Sequence, residues 1–461
     1  MNFWTKEKLI EAYPYCRLHN MPTEWTGSGL RIWHDDFEQD NMALLRFEGE
    51  KRGIVPLHRD KIIDKASALV CSKGHASELV SYGKPIIEVD DTSEVIFAYA
   101  RYIRSHYNGK VIAVTGSAGK STTTSMVYEI LKDKGASSNL NKANTSWGIG
   151  WNLTTFDLDN PYWVVETSLG GGMIRNSSLT IPDIAIVTTI APVHLTGDET
   201  LRDVAFRKSK IFSSMSAGKV AIIYNEIPYF DIFEDMILEK KLKLITVGEG
   251  ENSNIRIDAE SSNCFIINEQ RYELSGELLP KHILIDMGMA IAAAVECGES
   301  IEDAIEKLKN FKSLEGRGEV FSGKIDFDKN ITLIDESYNA NPVSMRASLE
   351  GFYRMYGGDD KSRLLILGGM TEGGKDSEKY HIELEDVIRK VKPARVILCS
   401  AEMKPLWNII KFDFAGEYYE TVEELNKDIK NWIKDGDFIF IKSSHSIGLY
   451  KTALMLKSAM N

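Results

Sequence analysis

Residues 111–135, VIAVTGSAGKSTTTSMVYEILKDKG, join an apolar segment to an amphipathic helix pattern through two glycines, a lysine and a run of hydroxyl side chains. That order of residue types suits a phosphate. Gly116 and Gly119, with Ser117 between them, leave backbone N–H groups clear of side-chain bulk, and the helix that follows aims its amino terminus at an anion. Lys120 is placed for the outer phosphates of a nucleotide, and Ser121 and Thr122 supply hydroxyls for Mg2+. The common pattern GxxxxGK[ST] would need a glycine at Val114, so the loop is a shorter form, Gly116-Ser117-Ala118-Gly119-Lys120-Ser121-Thr122. A plain glycine turn capped by serine and threonine would use many of the same residues. The strand before, the helix after and the lysine at their junction favour nucleotide phosphate.

Switches, kinases, motors and ligases all use such a loop, so residues downstream must decide what the phosphate is for. In YWVVETSLGG, Glu166 ends an apolar strand, and in IAIVTTIAPVHLTGD, His194 lies just past the end of another. Ligands of parallel sheets gather at the carboxyl ends of strands, where a glutamate and a histidine can share a divalent cation. Alone, His194 would read as a hydrogen-bonded loop histidine. Beside Glu166 and the phosphate loop it reads as a metal ligand.

These side chains need a scaffold, and the surrounding pattern supplies one. From Lys110 onward, short apolar strands (VIAVT, YWVVET, IAIVTTI, KVAIIYN, LKLITVG) alternate with longer amphipathic segments, as in a parallel sheet covered on both faces. Alternating strands (NIRIDA, CFIINE, RYELSG) and two helices (MGMAIAAAVECG, IEDAIEKLKNF) follow. A further strand and helix alternation starts near LEGRGEVF and continues through ITLIDES, RLLILGG, ARVILCS and DFIFIKS. The expectation is an α/β protein of three domains: a small α/β domain over 1–108, a central parallel-sheet phosphate-loop ATPase domain over 109–313, and a Rossmann-like α/β domain over 314–461. Two consecutive α/β units leave a crevice between them for a ligand.

The 461 residues carry a formal charge of −12, with 43% apolar and 26% charged side chains, the balance of a soluble globular chain. No Lys/Arg-dense block with interleaved aromatics occurs, which argues against a nucleic-acid partner and means that an anionic ligand needs a local positive site. No apolar run approaches the roughly 20 residues that span a bilayer, and MNFWTKEKLIEAYPYC lacks the flank and core of a signal peptide. A cytoplasmic location without a membrane partner is expected. The five cysteines, Cys16, Cys71, Cys264, Cys297 and Cys399, are scattered without a CxxC pair and are expected to be reduced.

With these residues in view, the chain resembles the Mur ligases, ATP-dependent enzymes that join an amino acid or peptide to a carboxylate. Within that family it is most similar to the branch that adds D-alanyl-D-alanine to a UDP-N-acetylmuramoyl tripeptide. TGSAGKST echoes the family's TGxxGKT/ST loop, and NKANTSWGIG, which holds Asn144, echoes its asparagine-rich turn. LIDESYNANPVSM nearly reproduces DDSYNANPxSM, and LILGGMTEGGKDSEKYH follows LGDMxELGxxSxxxH. The likeness runs over about residues 85–455.

The resemblance implies ATP and two Mg2+ ions, with Ser121, Glu166, His194 and Lys208 as metal ligands. Lys208, in VAFRKSKIF, matches a family lysine that is often carried as a carbamate; without the resemblance, RKSK reads as a solvated helix face. Arg317 and Asp335 match positions that touch ATP phosphate and ribose, and His282 and Asp286 match the adenine side. Asn144, Tyr338, Asn339 and Asn341 would line the substrate sites, and Lys120, His194, Lys208 and Arg317 would form the catalytic set. The implied partners are a small-molecule carboxylate and an amino acid or dipeptide, and by analogy the chain is expected to be a monomer.

The departures concern the substrates. GxHNxxNA becomes PKHILIDMG, KGSR becomes Lys442-Ser443-Ser444-His445, and the LGD aspartate becomes Gly369. WHDDFEQDNMALLRFEGEKRG holds only a worn version of the DSR and DGHxF motifs that read a UDP-sugar peptide. The expected activity is amide-bond formation through an acyl phosphate. The alternatives are a relative joining a different acid and amine, and a non-catalytic ATP-binding protein that kept the fold.

Overall fold

Val111, Ile112, Ala113 and Val114 are consecutive and apolar, so neither face of their strand can meet water. The structure, a computed structural model, describes all residues except 1, 36, 140–142, 194, 196–198, 261, 327, 359–360, 372 and 461. It places the strand Lys110–Thr115 inside a nine-stranded sheet. Ile112 and Val114 pack with Met126, Val127 and Ile130 of the helix Lys120–Leu131, while Ala113 joins a second layer with Val187 and Phe212.

The neighbours run in the order Ala136–Ser138, Tyr162–Glu166, Lys110–Thr115, Ile184–Val187, Val220–Tyr224, Lys243–Gly248 and Ile255–Asp258, all paired in parallel. Cys264–Ile267 and Gln270–Glu273 extend the sheet with antiparallel pairing. The chain leaves Lys110–Thr115 toward one edge and later returns to its other side. That reversal opens a crevice at the strand ends. Glu166 pairs with Val114 and Val187 with Thr115, so three strands finish level beside the turn 116–119.

A five-stranded sheet precedes this one, in the order Arg17–His19, Ile86–Val89, Ala68–Ser72, Met42–Leu44 and Leu30–Arg31, parallel except for its first pair. The helix Thr92–His106 starts where the Asp91 carboxylate accepts from the N–H groups of Ser93 and Glu94. It packs on the helix Ser146–Thr155. Trp4, Leu30 and Val70 share one buried cluster with Val111, Trp151 and Trp163, so the first two sheets have a common core.

The last sheet runs Glu319–Ile325, Lys329–Glu336, Asp437–Lys442, Ser362–Gly368, Arg395–Cys399 and Ala415–Tyr419, parallel after an antiparallel hairpin. Its helix Pro342–Tyr356 reaches back to the central sheet. Arg354 donates to the carbonyl oxygens of Ala259 and Ser262, and Gly351 lies so close to Pro280 that a Cβ there would stand 2.6 Å away. The expected α/β architecture is therefore present, with the three large sheets in contact and a short two-stranded sheet, Trp4–Thr5 with Thr26–Gly27, beside the first of them. Among the described residues no helix is long and apolar enough to cross a membrane, and all five cysteines are free.

Candidate active site

The turn out of Lys110–Thr115 enters the helix Lys120–Leu131 with no side chain capping it; Gly119 holds the cap position at φ +80°. The first N–H groups of the helix are thus left for an anion. Space dictates both glycines. A Cβ at Gly116 would lie 1.9 Å from Thr188 Oγ1, and one at Gly119 would lie 2.5 Å from an Asp286 carboxylate oxygen. The Ser117 N–H donates to Thr189 O at 2.7 Å and its hydroxyl to Ala191 O at 3.2 Å, which ties the loop to the neighbouring strand end. Ser121 and Thr122 are buried in the first helical turn.

Two lysines converge on this loop. Lys120 Nζ donates to the Gly116 carbonyl oxygen at 2.9 Å, and Lys208 Nζ, from the helix Leu201–Ser209, donates to the same oxygen at 2.7 Å. Lys208 is 2% exposed, so it is no part of a solvated face. Burial holds its ammonium well below the usual lysine range, and the charges of Lys120 and Arg207 press the same way.

Glu166 ends its strand buried beside the loop. Ser121 Oγ donates to one of its oxygens at 2.6 Å and Asn144 Nδ2 to the other at 2.6 Å. Asn139 clamps its backbone, accepting the Glu166 N–H at 2.7 Å and donating to its carbonyl at 3.0 Å. A buried carboxylate held by neutral donors still lacks a counter-charge, which is the setting for a divalent cation. Among the described residues no cluster of three His, Cys, Asp or Glu side chains could hold a metal, so further ligands would have to be hydroxyls, Lys208 or His194. His194 itself lies outside the described residues.

The opposite wall comes from the helix Lys281–Glu296 and the last sheet. Asp286 stands against Gly119, and burial pushes its carboxyl up to about 8, with Thr123 and Arg317 pulling only partly the other way. The Arg317 guanidinium lies 4.0 Å from the centre of the Tyr338 ring, and its Nε is buried without a hydrogen-bond partner. His282 Nδ1 is likewise buried and unpaired, and burial holds that histidine below its usual range against the opposing pull of Glu336. Asn341 caps the helix Pro342–Tyr356 and also donates to Ser117 O at 3.4 Å, so the last sheet touches the phosphate loop directly. Asn339 is exposed beside it.

Asp335 does not join this cluster. Its oxygens accept from the Ser337 N–H at 2.9 Å and from Lys457 at 2.7 Å, and it is buried behind the strand. The charge of the next residue, Glu336, acts on His282, and Lys442 Nζ donates to Glu336 at 3.1 Å and to Asn339 O at 3.1 Å. Glu336 and Asn139 were missed from the sequence. A polar residue closing a strand, as Asn139 follows Ala136–Ser138, was the available signal.

Residues 114–294 match the family model described as Mur ligase middle domain, and residues 316–445 match the one described as Mur ligase, glutamate ligase domain. The UDP-N-acetylmuramoyl-tripeptide–D-alanyl-D-alanine ligase of Haemophilus influenzae is 26% identical over 427 residues, covering 90% of this chain and 91% of its own. The crystal structure of MurF from Acinetobacter baumannii has a TM-score of 0.81 at 18% identity, covering 99% of both chains. MurF ligase from Thermotoga maritima, solved in complex with ADP, has a TM-score of 0.75 at 18% identity, covering 94% of this chain and 97% of that one. These structural likenesses speak to the fold.

Proposed function

We propose that this chain, which belongs to the Mur ligase family, is an ATP-dependent ligase that activates a carboxylate as an acyl phosphate and couples it to the amine of an amino acid or dipeptide. The pair favoured by its relatives is a UDP-N-acetylmuramoyl tripeptide and D-alanyl-D-alanine. The observation that carries the reading is the contact of Asn341 with Ser117, because it sets the SYNANP turn of the last sheet against the phosphate loop.

The glycine-shaped cradle, the uncapped helix start and the unpaired His282 and Arg317 nitrogens suit ATP. Loop N–H groups and Lys120 would hold the β- and γ-phosphates, and His282 and Glu336 would face the nucleoside. A carboxylate oxygen of the acid attacks the γ-phosphorus, forming an O–P bond while the bond to the β–γ bridging oxygen breaks and ADP leaves. Arg317 would offset the charge that moves in this step. The amine nitrogen then adds to the acyl carbon and loses a proton, and the C–O bond to phosphate breaks. Tyr338, Asn339 and Asn341 would border the amine, and Asn144 would steady Glu166 on the acid side.

The lone carboxylate of Glu166 and the Ser121 hydroxyl suit Mg2+, which when bound supplies charge neutralisation between the phosphates and the acid. His194 and Lys208 would complete the ligands. A neutral Lys208 amine can add to carbon dioxide, forming an N–C bond and releasing a proton, and the carbamate so formed is an anionic oxygen donor.

ADP and phosphate should accumulate only when Mg2+, ATP, the tripeptide acid and D-alanyl-D-alanine are all present, with the joined peptide seen by mass spectrometry. Equal ATP hydrolysis with and without every acceptor pair would sink the ligase reading. The family models begin at residue 114, so the first sheet, where the acid motifs are altered, lies outside them. A ligase acting on another acid is the alternative, and a screen of acids with the same readout separates the two.

A further inference from the structure

Two departures from the family pattern fall at one place, the carboxyl ends of the last sheet's strands. Gly369 stands where the LGD motif has its aspartate, and His445 where the KGSR motif has its arginine. Gly369 has no room for a side chain: a Cβ there would lie 2.7 Å from Ser400 Oγ and 2.8 Å from a Glu402 carboxylate oxygen. The acid is therefore displaced rather than lost, from the end of Ser362–Gly368 to the turn that follows Arg395–Cys399. That turn is fixed. Ser400 sits at φ +89° and ψ 155°, a conformation that residues with a side chain rarely adopt and that persists only where the surroundings hold it. Here its N–H donates to Tyr419 O at 3.0 Å, its hydroxyl oxygen accepts the Gly369 N–H at 3.2 Å, and its carbonyl oxygen accepts the Met403 N–H at 3.0 Å.

The displaced acid lacks a counter-charge. Glu402 is half-buried, and among the described residues its carboxylate makes no hydrogen bond and no ion pair. Lys442, the cation at a neighbouring strand end, is taken up by Glu336 and Asn339 O. His381 feels the Glu402 charge, but its Nε2 accepts the Met370 N–H at 2.9 Å, its Nδ1 donates to Ser377 O at 2.7 Å, and burial holds it below its usual range. His445 stacks on Tyr450 at 4.8 Å and, unlike an arginine, is no permanent cation.

Contacts run unbroken from this carboxylate to the phosphate loop. The Ser444 N–H donates to Gly369 O at 3.0 Å, the Ser444 hydroxyl donates to Ala340 O at 3.2 Å, and the adjoining Asn341 donates to Ser117 O at 3.4 Å. Just past Gly369 the chain also meets the central sheet, since a Cβ at Gly374 would stand 3.3 Å from Leu195 Cβ. An amine that reacts beside the phosphate loop therefore lies along this row of strand ends, with Glu402 at the far end of the crevice.

We propose that the amine substrate carries a second cationic group, a side-chain alkylammonium, held by Glu402 at the end of the crevice away from the phosphate loop. The reacting amine rests on the ligase reading; the cation site rests on Glu402 and its surroundings. The test is calorimetric titration of the full chain, Glu402→Gln and Glu402→Asp, in the presence of Mg2+ and ADP. The ligands are D-alanyl-D-lysine and D-alanyl-D-norleucine, which share the reacting amine and differ at the side-chain end by one charge. The same two, mixed in equal amounts with ATP and the tripeptide acid, give a product ratio by mass spectrometry.

The unaltered chain should bind the lysine dipeptide about tenfold more tightly than the norleucine one, Glu402→Gln should bring the two within about twofold, and Glu402→Asp should keep part of the preference. ATP affinity should not change. Equal melting temperatures would check that the variants fold, and the comparison within the unaltered chain needs no variant. Equal binding of the two dipeptides by the unaltered chain, binding of neither, or a preference that survives Glu402→Gln overturns the proposal. If the preference depends on Glu402 yet no dipeptide is joined to any acid, the site stands and the ligase reading falls. If D-alanyl-D-alanine is joined and the lysine dipeptide is not preferred, the ligase reading stands and the site falls.

Discussion

The side chains of Lys120 and Lys208 meet at one atom, the Gly116 carbonyl oxygen, at 2.9 and 2.7 Å. Two cations this close repel, and the buried one, Lys208, is the one held well below the usual lysine range. Turning Lys208 into a carbamate would replace that repulsion with attraction to Lys120 and to a metal ion. We therefore predict that Lys208→Ala lowers turnover by at least about a hundredfold and that short carboxylates such as acetate partly restore it. Lys208→Arg, a permanent cation, should be as slow and not respond to acetate. Full activity in the alanine variant, measured as phosphate release, would rule the carbamate out.

The contact between Asp286 and Gly119 gives a prediction about pH. Burial raises the Asp286 carboxyl from 3.8 to about 8, so the folded chain keeps a proton that the unfolded chain has released over that interval. More protons on the folded side mean that this group's contribution to stability falls as pH rises from near 4 to near 8. Asp286→Asn cannot lose a proton. Relative to the unaltered chain its melting temperature should rise steadily over that window and track it with a constant offset below it. Parallel melting curves across the whole range would show that Asp286 is ionised in the fold.

Which parts of this site could be read in the sequence follows from how local each signal is. The phosphate loop and Glu166 are marked by their own neighbours, a strand end and a glycine turn. Lys208 hides in a charged run, yet it stands four residues after Val204 and four before Phe212, both fully buried, a spacing that puts it on the core side of its helix. Asp335 and Glu336 were harder, because adjacent strand residues face opposite ways and the motif does not say which face is the crevice. Only pairing with Asp437–Lys442, which sets Lys442 beside Glu336, and packing against Lys457 resolve it.

Asn341 has two tasks, and removing it should show both. Its Oδ1 accepts the Ser344 N–H at 2.8 Å at the start of the helix Pro342–Tyr356, and its Nδ2 reaches Ser117. Losing an N-cap of this kind costs about 1 kcal/mol. Asn341→Ala should lose that much in denaturant unfolding and, in addition, raise the KM for ATP by severalfold. Asn341→Ser, which can still cap, should recover the stability but not the KM. Recovery of both would assign the residue a purely structural part.

Asp335 and Glu336 allow the sharpest separation of support from contact. Asp335 is buried, and Lys457 bridges it to Glu319 at 2.7 and 3.0 Å, so removing its charge leaves the largely buried ammonium with Glu319 as its remaining carboxylate. Losing one charge-assisted contact of this kind costs about 2 kcal/mol. Asp335→Asn should therefore melt earlier while the surviving folded enzyme keeps its KM for ATP. The Glu336 charge acts on His282, and its carboxylate holds Lys442, which also donates to the Asn339 carbonyl in the SYNANP turn. Glu336→Gln keeps the size and one acceptor oxygen, so its melting temperature should shift little while the KM for ATP rises about tenfold. Steady-state kinetics and melting curves on both variants decide the matter: a raised KM in Asp335→Asn with none in Glu336→Gln would return the nucleoside contact to Asp335.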